Sequence, residues 1–173
     1  SAPCLVPVLL SAGAAGCVVP PPLEIGGADA GPSANPAFVS AGPNELAFPG
    51  PITVDRGDQR RLSLTLTDAD LDDTLYVRIY VNYDLPFQSS SLSDCSAPPS
   101  GELTRVADCS IASLCNQVDE TDTTEQFVEA MVADRQFLSE SDPRAETQPP
   151  FRALPEDAAA SYRSWLMECS QPQ

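Results

Sequence analysis

Neither histidine nor lysine occurs among the 173 residues. The first absence removes Ser-His-Asp and Cys-His catalysis, His-ligated zinc and proton shuttling near neutral pH. The second removes Schiff-base chemistry and a Walker-type phosphate-binding lysine. Aromatics are scarce at 6%, with one Trp and four Tyr. Nine basic residues, all Arg, face 25 acidic ones, giving a net charge of -16. A surface this acidic repels nucleic acid and anionic headgroups and suits cations or a basic partner. A carboxylate-pair hydrolase is the one enzyme class left open, and it would need a cleft holding two carboxyls of raised pKa. No cofactor site other than calcium suggests itself.

Long hydrophobic runs are missing too. The most apolar stretch, Leu5 to Leu10, is broken by Pro7 and followed by SAGAAG. That is short of the roughly 20 residues of a membrane helix. An apolar run ending in small residues reads instead as a secretory signal over residues 1–16. Its end, Ala14-Ala15-Gly16-Cys17, resembles a bacterial lipobox, which implies that Cys17 is acylated and becomes the mature N-terminus. Residues 17–36 continue as VVPPPLEIGGADAGPSANP after the cysteine, too poor in apolar pattern to offset the entropy of ordering. They read as a flexible tether, and 37–173 as the folded domain.

With Cys4 and Cys17 assigned to signal and anchor, Cys95, Cys109, Cys115 and Cys169 remain. An even number in an exported chain reads as two disulfides, with three connectivities open. Pairing of Cys95 with Cys109 and Cys115 with Cys169 is favoured, since the second bond would staple the C-terminal strand. A four-cysteine metal site is the alternative.

Period-2 alternation recurs in RLSLTLTD, LYVRIYVN, QFVEAMVAD and SYRSWLMEC, with shorter runs at 37–40, 52–55 and 105–111. Seven short strands punctuated by Pro, Gly and Asp predict a mainly β, antiparallel sandwich with Trp165 in its core. Residues 84–104 and 139–155 read as long loops, the first tied by disulfides. Pro155 and Asp157 suggest a helical turn over 156–160.

The segments NPAFVSAGPNELAFPGPITVDRG and LTLTDADLDDTLYVRIYVNYD resemble the Ig-like or cadherin-like modules of bacterial surface proteins. Together with AAGC-VVPPP and CSAPP, they make the chain similar to small lipoproteins of predatory soil bacteria of the myxobacterial type. The resemblance implies an outer-membrane or cell-surface lipoprotein without catalytic residues, acting as a binding or assembly subunit or as a structural component of a larger complex.

Two patterns offer sites. Asp68, Asp70 and Asp72 cluster in a turn, with Asp134 as a further oxygen donor, and such clusters suit calcium. The EF-hand pattern fails, with Asp73 at its sixth position and Ile79 at its twelfth; a solvated turn is the alternative. Tyr76, Arg78 and Tyr80 form a stripe on the outer face of one strand. It reads as a protein-binding patch or as packing beneath a loop.

Overall fold

The structure, a computed structural model, describes residues 35–42, 51–57, 59–83, 88–116 and 125–170. The signal-like segment, Cys17 and all but the last two residues of the tether lie outside the described residues.

Eight strands form two sheets: β1 (Ala37–Gly42), β2 (Ile52–Asp55), β3 (Arg61–Thr67), β4 (Leu75–Val81), β5 (Ser93–Ala97), β6 (Thr104–Ser110), β7 (Gln126–Ala133) and β8 (Ala160–Ser170). One sheet runs β1-β3-β6 and the other β2-β8-β7-β4-β5. The mainly β architecture follows from the alternation. Leu62, Leu64 and Leu66 of β3 point inward and meet Leu75, Val77 and Ile79 of β4 with Val128, Ala130 and Val132 of β7. Trp165 and Met167 of β8 complete this core. Each fully buried aliphatic side chain contributes about 1.5–3 kcal/mol.

Three details depart from expectation. Strand β2 pairs with β8 in parallel, Ile52 opposite Met167 and Val54 opposite Cys169, whereas the other pairs are antiparallel. Strand β5 lies inside the stretch read as a loop. Its sequence SDCSA lacks an apolar period, and it extends because β4 offers it a hydrogen-bonding edge. Residues 155–158 form a turn, closed by Ala158 N–H donating to the Pro155 carbonyl at 3.1 Å, not a helical turn. The one helical piece among the described residues is a 3₁₀ turn at Pro143–Ala145, capped by the Asp142 side chain.

Both favoured disulfides are present. Cys95–Cys109 joins β5 of one sheet to β6 of the other, and Cys115–Cys169 ties the turn after β6 to the end of β8. Closing loops of 14 and 54 residues stabilises by about 3 and about 4 kcal/mol in the chain-entropy account. Such bonds persist in oxidising surroundings and point to an extracytoplasmic environment. Among the described residues no helix is long and apolar enough to cross a membrane.

Candidate interaction surface

The outer face of the five-stranded sheet carries Tyr76, Tyr80, Phe127 and Tyr162, and its two halves differ. Along β4 that face presents Tyr76, Arg78 and Tyr80; along β7 it presents Phe127, Glu129 and Met131; along β8 it presents Tyr162, Ser164 and Leu166. The connection from β7 to β8 leaves at Ala133, returns at Ala160 and folds over the β4 half. Asp134 closes its base. Its N–H donates to the Ala159 carbonyl at 3.1 Å, and its carboxylate accepts the Ala159 N–H at 2.8 Å. Leu138 N–H donates to the Ala153 carbonyl, and the Gln148 amide bonds both backbone groups of Leu154. Phe137 and Leu154 then pack with Ala133, Tyr76 and Met131 as a small second core.

This layer satisfies the polar groups beneath it. The Tyr80 hydroxyl donates to the Phe151 carbonyl at 2.8 Å, and Arg78 Nη1 donates to the same oxygen at 2.7 Å. Tyr83 donates to the Pro150 carbonyl. Phe151 sits at φ 63°, a left-handed conformation unusual for a bulky residue. The two hydrogen bonds to its carbonyl offset that strain. The Arg78 guanidinium lies 4.5 Å from the Phe137 ring centre. Arg152 lies 3.4 Å over the Tyr83 ring and 4.7 Å from the Tyr80 ring, and pairs with Glu129. Burial pushes the Tyr80 hydroxyl up to about 12, against the pull of Arg78 and Arg152.

The reading of Tyr76, Arg78 and Tyr80 as an open binding patch is therefore corrected. Tyr80 is fully buried, and Tyr76 and Arg78 are partly covered, because the chain's own loop occupies the face. Two shallow cavities open in this layer. One, of about 120 Å³, lies beside Tyr76, Arg78, Asp94 and Phe137; the other, of about 210 Å³, lies beside Glu140, Glu146, Gln148 and Phe151. Both are smaller than the few hundred Å³ of small-molecule sites.

The β8 half is bare. Tyr162 is 72% exposed, Phe127 46% and Leu166 40%. Phe127 and Leu166 stand directly opposite each other, and Tyr162 stands opposite Met131. Alternation fixes this outcome: with Trp165 and Met167 committed to the core, Tyr162 and Leu166 must face out. Glu168 continues the same face, exposed, and Glu125 lies just ahead of β7, also exposed.

The acidic turn already holds a cation of its own. Arg105, on the inward face of β6, is buried beside Asp68 with Nη2 at 3.6 Å from its carboxylate. Its guanidinium donates to the Asp73 carbonyl and, at 2.6 Å, to the Asp70 carbonyl. The carboxylates brace the backbone: Asp68 accepts the Asp70 N–H at 3.3 Å, and Asp70 accepts the Asp72 N–H at 3.1 Å. Burial pushes the Asp68 carboxyl up, opposed first by the Asp70 N–H and then by Arg105. Asp68, Asp70, Asp72 and Asp134 do not converge as calcium ligands. Among the described residues no group of three or more His, Cys, Asp or Glu could hold a metal. Arg105 supplies the positive charge beside Asp68.

Sequence reasoning missed Arg105, Arg152 and Glu129. A signal existed for Arg105, which shares the strand phase of Ala107 and Cys109. None existed for Arg152, whose position depends on a loop path. No known family model matches the chain. No curated protein shows significant similarity to it.

Proposed function

We propose that the chain is a non-enzymatic binding or assembly subunit of a cell envelope. On this reading it is an Ig-like sandwich held at an outer membrane or cell surface by acylated Cys17, of the small-lipoprotein kind that its sequence resembles. The observation that carries the reading is the bare apolar strip on β7 and β8 of an otherwise acidic, doubly disulfide-bonded sandwich. Exposed aromatic and aliphatic side chains grouped on a rigid sheet are suited to a protein partner. The Ig-like element draws support from the strand order. β1-β3-β6 opposite β8-β7-β4 follows the A-B-E and G-F-C order of that sandwich. The absence of His and Lys favours a binding role over catalysis, and the two cavities described beside the β7–β8 connection are small.

Intact mass of the protein from membranes of its source tests the reading. The expected species begins at Cys17, carries acyl chains and has Cys95, Cys109, Cys115 and Cys169 oxidised. An unmodified Cys17 inside an uncleaved chain would overturn the anchor.

A further inference from the structure

The bare strip has a chemical signature that specifies its partner. Its centre is apolar, the Phe127–Leu166 cross-strand pair with Tyr162 further along β8. Its border is acidic. Glu168 follows Leu166 on the same face and Glu125 precedes Phe127, both exposed. All nine arginines lie among the described residues, yet no ion pair there reaches Glu125 or Glu168. The register that pairs Gln126 with Met167 brings these two carboxylates to neighbouring positions. Like charges so placed repel unless a cation sits between them.

We infer that the outer face of β7 and β8 binds a basic protein segment, one whose apolar side chains seat on Phe127, Leu166 and Tyr162 while flanking Lys or Arg meet Glu125 and Glu168. The arrangement is that of a protein interface with an apolar centre and a charged rim. Charge also selects among occupants. A second copy would bring another -16 and a second pair of glutamates against the first. An anionic lipid surface is repelled in the same way. A basic segment gains from both parts of the strip, and the long-range field of the chain steers it in.

The inference rests on the binding-subunit reading and deepens it. The test uses the oxidised chain and a labelled seven-residue peptide, Lys-Phe-Lys-Leu-Lys-Phe-Lys, followed by fluorescence anisotropy. Two control peptides replace every Lys by Glu, or every apolar residue by Ser. The expected result is binding of the Lys-Phe peptide alone. Phe127→Ser with Leu166→Ser should weaken it at least tenfold, and Glu125→Gln with Glu168→Gln about threefold. Tyr162→Ser, at a position 72% exposed, repeats the test should the double apolar variant melt early. Equal affinity in all variants would overturn the site, as would equal binding of the Lys-Ser or Glu-Phe peptide. Concentration-dependent dimerisation lost in Phe127→Ser/Leu166→Ser would assign the strip to a second copy and overturn it too. Failure here with an acylated Cys17 in native membranes removes the β8 site and leaves the envelope assignment standing.

Discussion

Along β4 and along β8 the same sheet face carries aromatic side chains in alternation, with opposite outcomes. Tyr80 and Tyr83 are buried, hydrogen-bonded and stacked with Arg152, whereas Tyr162 stands 72% exposed. The difference is not in the strands. It lies in the 134–159 connection, which folds over β4 and leaves β8 uncovered. Along β4 the cover is the chain's own loop. Along β8 no described residue takes that place, and the proposed partner would.

Substitutions on the two halves should therefore separate by size. Tyr80→Ala removes a buried ring and its hydroxyl bond, and should cost about 4 kcal/mol. Tyr162→Ala should stay within about 0.5 kcal/mol. Urea unfolding of the two variants measures both; similar losses would erase the distinction.

Alkali provides a second contrast without mutation. Tyr80 keeps its proton to about 12 when folded, above the ordinary tyrosine value of 10.0. Its contribution is complete below about pH 10 and drains away as pH rises through the folded value. The loss approaches 2–3 kcal/mol by about pH 12, from about 1.4 kcal/mol per unit. Melting curves between pH 9 and 12 should show it, and Tyr80→Phe should flatten it. Tyr162→Phe should leave it unchanged.

Arg152→Met tests what locks the loop down. Losing the ion pair to Glu129 and the stacking on two tyrosines should cost about 2 kcal/mol. Proteolysis within 136–155 should rise in parallel. A variant as stable and resistant as the parent would mean the loop is held by its apolar residues alone.

The smallest effect concerns the acidic turn. With Arg105 already donating to the Asp70 and Asp73 carbonyls, calcium should raise the melting temperature no more than sodium of equal ionic strength. A gain specific to calcium and lost in Asp70→Asn would contradict the assignment of that cation role to Arg105.

Much of the fold was legible because seven strands announce themselves by period 2, and the core faces follow from Leu62, Val77, Val128 and Trp165. Strand β5 was not, since SDCSA has no apolar rhythm and its extension is dictated by β4. The even number of cysteines made two disulfides legible, but their connectivity depends on how the strands pair across the sandwich. The candidate surface was less so. Tyr76-Arg78-Tyr80 and Tyr162-Leu166 look alike in sequence, and only the course of residues 134–159 tells them apart. The acidic turn was legible as a carboxylate cluster, but its cation was not, because Arg105 arrives from β6, thirty-two residues after Asp73.

The four tyrosines report on both halves of the sheet face in one experiment. Tetranitromethane labelling with peptide mass analysis can compare the purified chain with the chain in intact envelopes. The expected result is nitration of Tyr162 in the purified chain and its protection in the envelope, with Tyr80 and Tyr83 protected in both. Equal reactivity of Tyr162 in the two settings, or a reactive Tyr80 in the purified chain, would contradict it.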